Sequence, residues 1–220
     1  MEINSLRESL KKSEKEYIWE DVPLAHIESE REYIWKDAPL ERHNYGRIVE
    51  RKKIRLWQIP PTTGAFLKWL IQLSKPKYVL EIGTGIGYST LWMAEPLSHF
   101  DGTINTIEIF SPKIELAREN FAKSKLKNIE LLQGDAMIIT QNYPKPVNLL
   151  FLDADKENYL CYLKNLEHNF TDGAIIVADN AVDCDYMMDD FLDYVENSKN
   201  YQSVILNLDK GLLLANYYHE

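Results

Sequence analysis

From Pro60 to the C-terminus the chain alternates short apolar, β-branched runs with longer stretches of mixed polarity, which predicts parallel strands joined by crossover helices. Strands are expected at Tyr78–Ile82, Thr103–Ile109, Ile129–Gln133, Val147–Asp153 and Ala174–Ala178. Most of these runs are almost continuously hydrophobic, as strands covered by helices on both faces should be. Helices are expected over Tyr88–Leu97, Pro112–Ser124 and Lys156–Asn169, the second opened by Ser111 as cap and Pro112 in the first turn. Ser203–Leu208 and Leu212–Tyr217 flank Asp-Lys-Gly, a hairpin signal, so an antiparallel pair should follow the five parallel strands. The fold class is therefore α/β: a mostly parallel seven-stranded sheet with a C-terminal antiparallel hairpin and helices on both faces.

The N-terminal part is organised differently. Ser13–Leu24 recurs sixteen residues later as Ser29–Leu40, with nine of twelve positions identical. Two copies are too few for a solenoid. Each offers a Tyr-Ile-Trp cluster and then a proline that ends a helix, so short helices should pack through Trp19 and Trp35 on the main domain or on a partner subunit. Such helices are marginal alone, and a homodimer is expected. The division is an N-terminal helical accessory segment, 1–57, and a main domain, 58–220.

Charge sharpens this division. Residues 1–57 carry 12 acidic and 12 basic side chains, so the whole net charge of -9 belongs to residues 58–220. Seven carboxylates fall between Asp179 and Glu196 without one Lys or Arg. Such a surface repels phosphate backbones and argues against broad nucleic-acid binding. The basic run Arg47, Arg51, Lys52, Lys53 and Arg55 points the other way and is read as a solvated helix face. No stretch reaches the roughly 18 apolar residues of a membrane span, and the charged start lacks an apolar signal region, so a soluble cytoplasmic protein is expected. Two cysteines are too few for a disulfide framework.

The segment Val79–Ser89 places Gly83, Gly85 and Gly87 after a strand and before a helix, where a backbone can approach a ligand closely. A structural turn is the competing reading. The spacing is G-x-G-x-G; the dinucleotide fingerprint needs a third glycine at position 88, which is Tyr88, so a nicotinamide-dependent reductase is the weakest alternative. Glu108, at the end of the second strand, can accept both hydroxyls of a ribose, and Gly134-Asp135-Ala136 ends the third. The three strand ends describe an adenosine-shaped site without a basic phosphate clamp.

With these motifs the chain resembles the class I S-adenosylmethionine-dependent methyltransferases, with a Rossmann-like methyltransferase fold. More closely, over about residues 57–217, it resembles the cation-dependent O-methyltransferases related to catechol and caffeoyl-CoA O-methyltransferase. Leu80–Ser89, Phe151–Tyr159 and Ala178-Asp179-Asn180 carry the resemblance. It implies that Glu81 and Gly83 line the methionine and ribose side, Ser89 holds the amino-acid carboxylate, Glu108 holds the ribose, and Asp135 with Ala136 reads the adenine. It also places Ile59 and Thr62 where the family closes over the cofactor, with Asp153 at the same edge.

Asp153 ends the fourth strand, and Asp179 with Asn180 ends the fifth. Adjacent strands lie about 4.8 Å apart, so these side chains can converge. Two carboxylates and an amide oxygen suit a hard divalent cation such as Mg2+, with open positions for an acceptor. Helix capping by the two aspartates is the bland alternative. Lys156 lies one turn beyond Asp153, and the resemblance implies that it is the general base. The function expected is S-adenosylmethionine-dependent methyl transfer to a metal-bound hydroxyl of a catechol-like small molecule. The alternatives are a tRNA hydroxyuridine O-methyltransferase and a non-catalytic protein that keeps the cofactor fold. After Asn180 the chain departs from the plant relatives and runs into an acidic, helical Asp183–Leu192.

Overall fold

The computed structural model describes residues 3–16, 48–50, 53–54 and 57–219. The chain begins with α1 (Ile3–Glu16) and a two-stranded antiparallel ribbon, β1 (Ile48–Glu50) and β2 (Lys53–Ile54). Of the basic run read as a helix face, only Lys53 is described and it lies on β2, whereas Arg47, Arg51, Lys52 and Arg55 lie outside the described residues; the pairing of β1 with β2 is favoured by the β-branched Ile48, Val49 and Ile54. Trp19 and Trp35, on which the dimer expectation rests, lie outside the described residues.

The main domain follows as α2 (Pro61–Ser74), β3 (Tyr78–Ile82), α3 (Tyr88–Leu97), β4 (Thr103–Glu108), α4 (Ser111–Ser124), β5 (Ile129–Gln133), α5 (Ala136–Gln141), β6 (Val147–Leu152), α6 (Tyr159–Leu166), β7 (Phe170–Asp179), α7 (Asp189–Asn197), β8 (Tyr201–Leu206) and β9 (Leu212–Tyr217). The sheet order is β5-β4-β3-β6-β7-β9-β8. β5 through β7 run parallel, and β9 pairs antiparallel with both β7 and β8. Strand order reverses beside β3, so the crossover helices leave in opposite directions and open a crevice at its carboxyl end.

Period-two alternation places successive strand residues in two cores. Val79, Leu149, Phe151 and Val177 pack with α2 and α3 through Leu67, Ile71 and Leu91. Leu80, Ile82, Leu150, Leu152 and Ile176 pack on the other face with Tyr159, Leu163 and Phe191 from α6 and α7. Helices therefore cover both faces, as the continuous apolar runs predicted.

Several boundaries differ from expectation for local reasons. Phe110, not Ser111, occupies the cap position of α4, because the Ile109 and Phe110 amides are already bonded to the Glu108 carboxylate. The stretch Lys156–Asn169 is a helix only over α6, with a tight 3-10 turn at each end. β7 is longer than expected because Gly173, at φ 76, lets the strand continue through a local irregularity. α2 and α5, not foreseen, start at Pro61 and after the Asp135 cap. α1 docks on α3: the Arg7 guanidinium is buried, pairs with Glu95 at 2.9 Å, bonds the Leu91 carbonyl and lies over the Trp92 ring.

Candidate active site

The carboxyl ends of the five parallel strands open into one cleft of about 470 Å³. Ile59, Gly83, Gly85, Ser89, Glu108, Ala136, Asp153, Lys156, Asp179 and Asn180 line it; Thr62, Glu81, Gly87 and Asp135 do not.

The loop after β3 is shaped by close contact. At Gly83 φ is 101, and a Cβ there would lie 2.1 Å from the Asp153 carbonyl oxygen, so only glycine lets β3 and β6 meet here. The Gly85 N–H donates to Glu108 Oε2 at 2.8 Å. The other Glu108 oxygen accepts the Ile109 and Phe110 amides at 3.1 and 3.0 Å. Three backbone donors thus hold one carboxylate at the mouth of the cleft, and a carboxylate retains further acceptor positions for ligand hydroxyls.

Glu81 stands behind this wall. It is fully buried and accepts the hydroxyls of Ser89, Thr90 and Thr106, so it braces the loop from beneath. Burial pushes its carboxyl up to about 7, against the pull of those three hydroxyls. The Thr62 hydroxyl is turned to Asp209 in the β8–β9 turn. Asp135 caps α5, accepting the Met137 N–H at 2.8 Å, and Gly87 packs its α-carbon against Phe121.

The acidic corner forms as the strand register dictates. Leu152 pairs with Ala178 between β6 and β7, so Asp153 and Asp179 emerge side by side, with Asn180 at φ 67 turning the chain. Asp179 is 5% exposed, and burial together with Asp153 pushes its carboxyl up to about 7. Such crowded negative charge is what a bound cation relieves. Among the described residues no three or more His, Cys, Asp or Glu gather in a metal-binding group; the oxygen donors this corner offers on the cleft wall are the two carboxylates and the Asn180 amide. All three are hard oxygen donors, and the set fits a divalent cation such as Mg2+.

Lys156 reaches Asp153 at 3.1 Å and the Tyr159 hydroxyl at 2.8 Å, and that hydroxyl donates to the Leu152 carbonyl. Burial acts to lower the ammonium's pKa, but Tyr159, Asp153 and Asp179 outweigh it and hold the proton above the ordinary lysine range. Tyr159 escaped the sequence reading, although it lies three residues after Lys156, the spacing of one helical turn. Lys113 also escaped it, as did Gln58, Trp57 and Lys210, all on the cleft wall. Lys113 lies in the first turn of α4, where the helix start turns toward the strand ends; that placement was the available signal.

A seven-stranded sheet of this order, with a glycine loop after β3, a carboxylate after β4 and a carboxylate pair after β6 and β7, defines the Rossmann-like methyltransferase class. The O-methyltransferase family model matches residues 41–214, and the chain belongs to that family. A catechol O-methyltransferase from Niastella koreensis is 33% identical over 129 residues, 56% of this chain and 58% of that protein; the match thus spans little more than half the relative's length. A crystal structure described as an O-methyltransferase from Klebsiella pneumoniae has a TM-score of 0.69 at 27% identity, covering 74% of this chain and 83% of that one. An O-methyltransferase from Bacillus cereus in complex with SAH has a TM-score of 0.67 at 25% identity, covering 73% of this chain and 82% of that one. No helix among the described residues is long and apolar enough to cross a membrane.

Proposed function

We propose that this protein transfers the methyl group of S-adenosylmethionine to a hydroxyl of a catechol-like small molecule, with a divalent cation at Asp153, Asp179 and Asn180. The observation that carries this reading is that the backbone-held Glu108 and the Asp153–Lys156–Asp179 corner open into the same cleft. One end suits a nucleoside diol and the other an ionising hydroxyl, so both reactants of a methyl transfer can be held in one cleft.

Glu108 accepts the ribose hydroxyls, and the backbone of Gly83 and Gly85, on the cleft wall, lies against the methionine side. Ser89 lines the cleft but gives its hydroxyl proton to Glu81, so this hydroxyl is not available to the amino-acid carboxylate in this arrangement. Lys156, oriented by Tyr159, takes the proton of the acceptor hydroxyl as the oxygen attacks the methyl carbon in line and S-adenosylhomocysteine leaves. A divalent cation held at the acidic corner supplies orientation of vicinal hydroxyls, stabilisation of the oxyanion, and relief of the carboxylate charge that keeps Lys156 protonated.

Calorimetric titration with S-adenosylmethionine, followed by a screen of catechol, flavonoid and hydroxylated-nucleoside acceptors for S-adenosylhomocysteine release, tests this reading. Cofactor binding with turnover of a vicinal diol supports it. Turnover confined to hydroxylated nucleosides replaces the acceptor, and a folded protein that binds no cofactor overturns it.

A further inference from the structure

Lys113 is the third residue of α4, and its side chain is 8% exposed on the wall of the cleft. Among the described residues its ammonium has no hydrogen-bonding or ion-pairing partner. It faces the carboxylates of Glu108 and Asp153 through space, beyond pairing distance, and Trp57 covers it with the ring centroid 5.0 Å from Nζ.

The Glu108 and Asp153 carboxylates and the Trp57 ring favour the ammonium, but two features of this position are unfavourable to a lysine without a ligand. The first turn of a helix carries the positive end of its dipole, which disfavours a cation. Burial removes the ammonium's hydration, and it lowers the Lys113 pKa despite the two carboxylates. A surface lysine packed for its alkyl stem alone would extend its head to water; this one keeps its head in the cleft, beside the carboxylate that the proposed function assigns to the ribose.

We propose that Lys113 is a positioning residue for the nucleoside: its ammonium donates to an oxygen of the ribose diol while Glu108 accepts the diol's proton, with Trp57 as the roof over that contact. A hydroxyl is both donor and acceptor, so one cationic donor and one anionic acceptor on the same wall read it fully. The pair also distinguishes a ribose from a deoxyribose. This assignment rests on the S-adenosylmethionine reading of the cleft.

The test is calorimetric binding of S-adenosylhomocysteine and its 2′-deoxy and 3′-deoxy forms to wild type, Lys113→Met and Lys113→Arg, each checked for an intact thermal transition. Loss of a charge-assisted hydrogen bond predicts about ten- to a hundredfold weaker binding of the parent nucleoside to Lys113→Met. The wild-type preference over at least one deoxy form should shrink by a similar factor, and Lys113→Arg, which keeps a donor, should restore it. Lys113→Leu replaces the methionine variant if that one fails to fold. Equal weakening of all three ligands, with unchanged ratios, indicates a packing role and overturns the assignment. A wild type that binds none of the three overturns the cofactor reading and this assignment together; binding by wild type with unchanged ratios in the variant overturns this assignment alone.

Discussion

Glu81 and Thr106 pair across β3 and β4, and the Thr106 hydroxyl donates to Glu81 Oε2 at 2.6 Å, inside a site with no access to water. With its carboxyl pushed up to about 7 from 4.5, the folded state holds a proton that the unfolded chain releases. Stability from this group is full below about pH 4.5 and is lost as pH rises through about 7, a total on the order of 3 kcal/mol. Asp179 acts in the same window. Urea denaturation of wild type and Glu81→Gln from pH 4.5 to 8 isolates the Glu81 part: the wild type should decline more steeply. Parallel curves would contradict the buried-proton account.

Two glycines at positive φ separate close approach from backbone strain. At Gly83 a Cβ meets the Asp153 backbone at 2.1 Å, whereas at Gly173 nothing lies within 4 Å. Gly173→Ala should cost only the left-handed penalty, about 1 kcal/mol. Gly83→Ala must also separate β3 from β6 and should cost several kcal/mol, about 3 or more. Comparable thermal midpoints for the two variants would refute the contact at Gly83.

Near-continuous apolar runs made the five parallel strands legible in sequence, because burial on both faces leaves little choice of residue, and the Asp-Lys-Gly turn signal gave away the antiparallel pair. The glycine spacing and the strand-terminal carboxylates likewise placed Glu108, Asp153, Asp179 and Asn180 at one edge. What stayed hidden depends on side-chain direction. Glu81 is one residue from Ile82 and two from Gly83, yet its side chain points into the α2–α3 side of the sheet, where Ser89, Thr90 and Thr106 meet it. Thr62 is taken by Asp209, 147 positions away, a contact no local pattern announces. Lys113 looked like an ordinary polar residue of a helix start.

Asp209, at φ 52 in the β8–β9 turn, accepts the Thr63 N–H at 3.1 Å and the Thr63 hydroxyl at 2.6 Å, as well as the Thr62 hydroxyl. It thereby ties the C-terminal hairpin to the start of α2, next to Ile59 and Pro60 on the cleft wall. Asp209→Ala should lower stability by about 1.5 to 3 kcal/mol through lost charged hydrogen bonds, with Asp209→Asn in between. Chemical denaturation checks this order; an alanine variant as stable as wild type would show that the tie is dispensable.

Arg7 holds α1 on α3 through Glu95, the Leu91 carbonyl and the Trp92 ring. Removing the guanidinium leaves Glu95 with Lys68 alone and opens a gap over Trp92. Limited proteolysis of Arg7→Ala should cut within residues 3–16 at least tenfold faster than in wild type, while the sheet domain stays intact. Equal cleavage rates would mean that Leu6 and Leu10 suffice to hold the helix.

The central claim joins a cofactor end and a cation corner in one cleft, and transfer of label from methyl-labelled S-adenosylmethionine to a catechol, in Mg2+ and then in EDTA, tests it most directly. The predicted result is labelled product in Mg2+, loss of product in EDTA with cofactor binding retained by calorimetry, and a Lys156→Met enzyme that binds cofactor but transfers little. Equal transfer in Mg2+ and in EDTA, or a Lys156→Met enzyme as fast as wild type, would contradict it.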